Sequence, residues 1–324
     1  MTTIANQQYA IGVDIGGTST KSGIVNHRGE IVSYGAAVVT GKFATPEAFV
    51  DELYTALAPA IQQVGLETIK GIGVGAPNGN YYTGTVDYAP NLPWRSVVPF
   101  ARLVSEKFGC PCALTNDANA TALGEMMYGV ATGMKDFITI TLGTGVGSGI
   151  VANGHVLYGH DGFAGELGHT IIRPGGRKHW ATNLCGSLEA YCSATGIVLT
   201  AKEFLSQRSD ESVLRHYNLD ELTSKQVYEA AVKGDALAQE VYRYTGQILG
   251  EALANFVMFS SPEAIVLFGG VIKAGDLIMQ PTKEHMEKNL LPIFQNKVKL
   301  VFSDLNEADA AILGASALVW EMKA

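Results

Sequence analysis

The sequence predicts an α/β protein of two domains, built on a strand–turn–strand unit that occurs twice. Three observations predict it. The first is a pair of glycine- and threonine-rich stretches well separated along the chain, Asp14-Ile15-Gly16-Gly17-Thr18 and Leu142-Gly143-Thr144-Gly145-Val146-Gly147. The second is what flanks them: an alternating apolar strand before each (Tyr9 to Val13, Phe137 to Thr141) and another after it, both ending in Gly-Ile-Val (Gly23 to Val25, Gly149 to Val151). The third is size and composition. A chain of 324 residues, 47% of them hydrophobic and 37 of them glycine, can bury the core of two domains with strands and helices in alternation.

A glycine turn between strands lets backbone N–H groups converge on an anion, because no Cβ blocks the approach and positive φ costs little. One such turn serves many hairpins for steric reasons alone. Two inside matching units point to a duplicated fold that grips a polyphosphate from both sides.

Composition narrows the functions. The net charge of −8 argues against a broad nucleic-acid or anionic-membrane surface. No apolar run reaches about 18 residues, so no transmembrane helix is expected. The polar stretch Met1 to Gln8 lacks a basic-then-apolar secretion signal, and four cysteines (Cys110, Cys112, Cys185, Cys192) make no disulfide scaffold, so a reduced cytoplasmic protein is expected. Cys110-Pro111-Cys112 is too tightly spaced for a usual redox or zinc pair.

The elements follow in order. Thr45-Pro46-Glu47 reads as a helix start, Phe49, Leu53, Leu57 and Ile61 give it one buried face, Gly65 ends it, and Pro59 is expected to kink it. Ile69 to Val74 is a buried strand. Phe100 to Phe108 is a helix closed by Gly109, and Cys112 to Thr115 is a strand that delivers Asn116 and Asp117 at its end. The second half becomes mainly helical, with a long helix over Asp235 to Phe259, strands at Ala264 to Phe268 and Lys297 to Phe302, and a terminal helix from Ala308 to Met322. The hinge is expected near Asp117 to Asn119, with the terminal helix crossing back to the first domain.

Four constellations can carry chemistry. Asp14 ends a strand just before the first glycine turn, where a carboxylate either holds Mg²⁺ through water or simply caps the turn. Thr18 and Thr144 donate to phosphate or satisfy turn backbone; Lys21 is left unassigned. Asn116-Asp117-Ala118-Asn119-Ala120 sets an amide and a carboxylate on a strand end that opens a helix, a position suited to a general base and equally to an Asx cap. Ala164-Gly165-Glu166-Leu167-Gly168-His169, with Glu189 further on, offers two carboxylates and an imidazole in glycine-rich loops. That set suits vicinal hydroxyls; a metal site and plain surface loops are the alternatives. Val266-Leu267-Phe268-Gly269-Gly270 ends a strand in paired glycines, against which a flat base or ribose can lie.

These constellations, in this order, resemble the ROK family of sugar kinases and sugar-responsive repressors, within the actin–hexokinase–Hsp70 superfamily. The resemblance runs from about Tyr9 to the C-terminus. It implies two ribonuclease-H-like (actin-like ATPase) domains flanking a central cleft: residues 1–117 as a small α/β domain completed by the C-terminal helix 308–324, and residues 118–307 as a large one. It also implies ATP-dependent phosphorylation of the 6-hydroxyl of glucose, with Asp117 as catalytic base and Asn116, Glu166, His169 and Glu189 on the sugar. Asp14, Gly16, Gly17, Thr18, Gly143, Thr144, Gly145, Gly269 and Gly270 fall in the nucleotide and phosphate segments, ATP and Mg²⁺ are the expected cofactors, and a dimer is the favoured assembly.

The chain departs from the family in one place. A C-x-C-G-x-x-G-C zinc cluster usually precedes the second sugar-binding glutamate; counting back from Glu189, those cysteine positions hold Trp180, Thr182 and Ser187, and Cys185 is out of register. No structural zinc is therefore expected, and the loop from Ile171 to Ser187 should be held by packing and hydrogen bonds, with Trp180 and Leu184 as apolar anchors. His169 is then free to face the sugar. Kinases for N-acetylglucosamine, N-acetylmannosamine, fructose or allose are the alternatives, although Gly165-Glu166 resembles the glucose and N-acetylglucosamine branches more. A sugar-sensing regulator is remoter: the first phosphate strand begins at Tyr9, which is expected to leave no room for a DNA-binding domain. An actin- or Hsp70-like ATPase is disfavoured by the polyol-binding set.

Overall fold

The computed structural model describes residues 8–322, so Met1 to Gln7 of the expected polar N-terminus and the last two residues of the expected helix 308–324 lie outside the described residues. The chain divides into two compact units. The first holds the residues up to Lys135, Gly149–Gly165 and those from Ser303 onward; the second holds Asp136–Ser148 and Glu166–Phe302.

In the first unit, β1 (Tyr9–Ile15), β2 (Ser19–Asn26), β3 (Ile31–Tyr34) and β4 (Val38–Val39) follow one another, and α1 (Pro46–Val64) covers them. Thr45 caps α1 by accepting the Ala48 N–H, and the helix runs on through Pro59 to Gly65, whose φ of 89° releases the chain. Then come β5 (Ile69–Ala76), a small sheet of β6 (Gly79–Asn80), β7 (Thr85–Asp87) and β8 (Val97–Val98), α2 (Phe100–Phe108), β9 (Cys112–Asn116) and α3 (Asp117–Tyr128). The main sheet has the order β3-β2-β1-β5-β9, with β4 on β2. β1 and β2 are antiparallel, setting Asp14 opposite Lys21, whereas β1, β5 and β9 are parallel. Phe49, Leu53 and Leu57 of α1 share one core with Ile11, Val13, Ile72 and Val74 of the strands.

The second unit opens with β10 (Phe137–Leu142) and the start of β11 (Val146–Ala152), which passes into the first unit between Ser148 and Gly149, where β12 (His155–Val156) pairs with its end. Next come α4 (Glu189–Cys192), α5 (Ala194–Gln207), α6 (Ser224–Val232), α7 (Ala236–Ser260), β13 (Ala264–Phe268), α8 (Asp276–Asn289) and β14 (Lys299–Phe302). β13 pairs in parallel with both β10 and β14. Asp235 caps α7 through the Ala238 N–H.

α9 (Glu307–Glu321) returns to the first unit and packs on β1, β5 and α3. Glycine permits that approach. A Cβ on Gly12 would stand 2.0 Å from the Ile312 carbonyl oxygen, and one on Gly73 1.8 Å from that of Ala315. α3 packs against the same helix, since a Cβ on Gly314 would meet the Ala120 carbonyl at 2.3 Å. Contact with α9 places α3 in the first unit, which therefore extends beyond the expected boundary at Asp117 to Lys135.

Gly73→Val should therefore destabilise the protein by about 2–3 kcal/mol, the range for overpacking a tight interior. Gly41→Ala, where an added Cβ meets nothing within 4 Å, should stay within about 0.5 kcal/mol of the parent. Urea unfolding of the two variants checks both values.

Candidate active site

Three parallel strands of the first unit end at one edge of its sheet. Gly75 of β5 is registered with Asp14 of β1 and with Thr115 of β9, so Asp14 lies near the Asn116-Asp117 step that opens α3. Burial first and the Asp117 charge second raise the Asp14 pKa to about 6, against the opposing charge of Lys21 across the strand pair. The sequence left Lys21 unassigned; antiparallel register makes it the cation facing Asp14. After Asp14 the chain turns tightly, with the Gly16 N–H bonded to the Ser19 carbonyl at 3.1 Å. Gly17 and Thr18 are exposed on this turn. A Cβ on Gly17 would meet the Asn91 carbonyl oxygen at 2.9 Å, a neighbour from a loop without periodicity that the sequence reading missed.

Asn116 is the cap of α3: its Oδ1 accepts the Ala118 N–H at 2.8 Å, which leaves the side-chain NH₂ to donate elsewhere. Asp117 Oδ1 accepts from the same N–H at 2.8 Å. The Asp117 side chain keeps solvent access, yet the protein packed around it makes ionisation costly and raises its pKa, while the Ala118 N–H works the other way. The Asx cap is thus observed, and the same pair presents a carboxylate of raised proton affinity.

In the second unit, β10 and β13 are parallel neighbours, so the glycine turn after Leu142 and the Gly269-Gly270 pair lie at the same sheet edge. Gly269 has φ 102°, and a Cβ there would meet the Leu142 carbonyl at 2.7 Å. The turn itself is braced from the α4–α5 segment. Ala194 N–H donates to the Gly143 carbonyl at 2.8 Å, and Thr195 Oγ1 to the Thr144 carbonyl at 3.2 Å. Space beside Gly143 is open.

Glu166, His169 and Glu189 gather around this turn. Gly168 lets the Glu166–His169 segment lie on the start of β11, since a Cβ there would be 2.0 Å from the Val146 carbonyl. His169 Nε2 lies 4.0 Å from Glu166 Oε2, and its buried Nδ1 has no hydrogen-bond partner among the described residues. Glu189, the first residue of α4, accepts the Val146 N–H on Oε2 at 2.6 Å. It also meets a residue absent from the candidates: His179 Nε2 lies 2.6 Å from Glu189 Oε1, with the imidazole almost fully buried.

His169, His179 and Glu189 each place one atom within 4.8 Å of the others, close enough for one metal ion. The hydrogen-bond pattern opposes that use. His179 Nδ1 lies 3.1 Å from the N–H groups of both Ala181 and Thr182, which only donate, so Nδ1 accepts and Nε2 carries the hydrogen. A metal needs the Nε2 lone pair, and metal-bound imidazole usually offers its other nitrogen as a donor.

The loop between Ile171 and Ser187 is closed by backbone bridges, Ile171 to Ser187 and Lys178 to Cys185. Its expected apolar anchors are only half buried, Trp180 being 46% and Leu184 41% exposed, with the Trp180 ring packed on His179. Arg177 ties it to the helices, donating to the Ala190 and Gly196 carbonyls and to Glu203 while lying over the Tyr191 ring. A guanidinium with five donors satisfies loop and helix-end carbonyls that an indole cannot.

The chain belongs to the ROK family, whose match covers residues 10–322. It is 36% identical to a glucokinase of Halalkalibacterium halodurans over 97% of this chain and 96% of that protein. It is 31% identical to a xylose repressor of Caldicellulosiruptor bescii over 78% of this chain and 62% of the repressor. Among solved structures, a ROK family glucokinase from Streptomyces griseus in complex with glucose and AMPPNP is similar with a TM-score of 0.79 and 31% identity, covering 97% of this chain and all of that one. Among the described residues, no helix is long and apolar enough to cross a membrane.

The Asp14 environment has a consequence for stability. Its folded pKa of about 6 lies above the ordinary 3.8, so the folded state holds the proton more tightly between those values. The contribution is complete below about pH 4 and is lost as pH rises through about 6, amounting to about 2–3 kcal/mol. Asp14→Asn should therefore gain stability relative to the parent as pH rises from 4 to 7. Urea unfolding at both pH values measures it; a difference that does not grow with pH contradicts the assignment.

Proposed function

We propose that this protein is an ATP-dependent glucokinase, transferring the γ-phosphoryl group of ATP to the 6-hydroxyl of glucose. The observation that carries the reading is the gathering of Glu166, His169 and Glu189 around the second glycine turn. Carboxylates that accept from hydroxyls thus stand beside a turn suited to phosphate, within one unit. The glucokinase relatives and the neighbour bound to glucose and AMPPNP support the choice of sugar and nucleotide.

In this reading Asn116 donates to a sugar hydroxyl, Glu166 and Glu189 accept from others, and His169 uses its unpartnered nitrogen. Asp117 accepts the O6 proton as the new O6–phosphorus bond forms and the bond from the γ-phosphorus to the bridging oxygen breaks, releasing ADP. The raised proton affinity of Asp117 suits a base that must take a proton from an alcohol. The backbone N–H groups of Gly17, Thr18, Thr144 and Gly145 and the two threonine hydroxyls face the phosphates, Gly16 and Gly143 close the two turns through their own N–H groups, and the adenosine lies at Gly269-Gly270. Magnesium would arrive with ATP as part of the substrate, and Asp14 would be the residue to hold it through water. The protein works in the cytoplasm, where ATP is supplied, as a dimer and without structural zinc.

A coupled assay of ADP release over a panel of free sugars tests the reading. Glucose should give the highest kcat/KM, ahead of N-acetylglucosamine, N-acetylmannosamine, fructose and allose, and enzyme stripped by a chelator should recover with Mg²⁺ alone. ADP release that no sugar stimulates, or recovery that requires zinc, would count against it.

A further inference from the structure

A glutamate side chain has three rotatable bonds, and fixing it costs up to about 2 kcal/mol of conformational entropy. Glu189 begins a helix of a single turn, so its own element gives it little support. Two donors hold it: the Val146 N–H on Oε2 and His179 on Oε1, both at 2.6 Å. Each carboxylate oxygen keeps a further lone pair for an incoming hydroxyl.

His179 is itself fixed on every side. Its Nδ1 accepts from the Ala181 and Thr182 N–H groups, so its hydrogen points from Nε2 at Glu189. Its ring stacks on Trp180 with centroids 4.1 Å apart and meets the edge of His169 at 5.8 Å. Its own N–H bonds to the Leu184 carbonyl across the loop. A side chain buried this fully, with one nitrogen committed to the loop and the other to a carboxylate, aims one group rather than fills space.

We propose that His179 is a positioning residue: it sets the carboxylate of Glu189 for the sugar by donating from Nε2, while its Nδ1 only braces the loop. The inference rests on the reading of Glu189 as a sugar ligand. His179 acts through that carboxylate and touches no reacting atom. Its loss therefore raises the KM for glucose and leaves the KM for ATP and kcat nearly unchanged.

The two nitrogens can be separated by substitution. In His179→Asn the side-chain oxygen takes the place of Nδ1 and keeps the loop contacts, but nothing reaches Glu189. In His179→Gln the amide nitrogen takes the place of Nε2 and donates to Glu189, but the loop contacts are lost. The glucose KM should rise roughly ten- to a hundred-fold in His179→Asn, the range for losing a hydrogen bond to a charged group, and stay within about threefold in His179→Gln. Thermal stability should follow the opposite order. In a Glu189→Gln background, His179→Asn should add less than about threefold, because the two residues act as one unit.

A glucose KM that rises in His179→Gln and not in His179→Asn makes the residue merely structural and overturns the proposal. So does a full additive effect in the Glu189→Gln background. If Glu189→Gln raises the glucose KM while both His179 variants match the parent, this proposal fails and the reading of Glu189 stands. If Glu189→Gln itself leaves the glucose KM unchanged, that reading fails and the proposal with it.

Discussion

The chemistry-bearing edge of the first unit depends on one steric constraint, the near contact of α9 with the backbone of β1 and β5. At Gly12 and Gly73 the helix carbonyls of Ile312 and Ala315 occupy the space a Cβ would take. That contact lets the same helix pack on α3, again across small residues at Gly124 and Gly314. Helix α3 is thereby fixed against the sheet, and its first residue is Asp117. Parallel pairing of β1, β5 and β9 then brings Asp14 and Asp117 to one edge, the carboxyl ends of the strands where open α/β sheets present their ligand sites. Burial is the cost of that arrangement, visible in the raised pKa of each, and at Asp14 the Asp117 charge adds to it.

The second unit solves a different problem, how to hold a long carboxylate side chain beside a glycine turn. Glu189 uses both oxygens: one fixes Val146 at the end of the glycine turn, the other is fixed by His179. A Cβ on Gly145 would come within 2.4 Å of Glu189 Oε2 and would displace that carboxylate. Arg177 closes the supporting loop from behind through the Ala190 and Gly196 carbonyls. Buried polar groups satisfied in this way specify one arrangement; half of such a network would be worse than none.

Much of this was legible in the sequence because it is periodic or local. The strands before both glycine turns alternate or are continuously apolar, and α1, α2 and α7 carry caps and buried faces at helical spacing. Asn116 and Asp117 were readable as a strand end opening a helix, since cap chemistry acts over two or three residues. The allegiance of α3 was not, because it is decided by a glycine contact with a helix from the far end of the chain. Nor was the pairing of His179 with Glu189, set by a loop whose register comes from backbone bridges and not from any spacing of residue types. Trp180 and Leu184 misled for a plain reason: an apolar side chain in a loop carries no obligation to be buried. Lys21 gained a meaning only from the antiparallel register that faces it to Asp14.

Under the proposed function, binding and proton removal are divided among residues, with Asp117 responsible for the second. Rapid-quench measurement of a single turnover, with glucose binding followed separately by calorimetry, tests that division on Asp117→Asn. The account predicts glucose affinity within about threefold of the parent and a phosphoryl-transfer rate lowered roughly 10²–10⁴-fold, the usual loss on removing a general base. A variant that transfers phosphate at nearly the parental rate would contradict it.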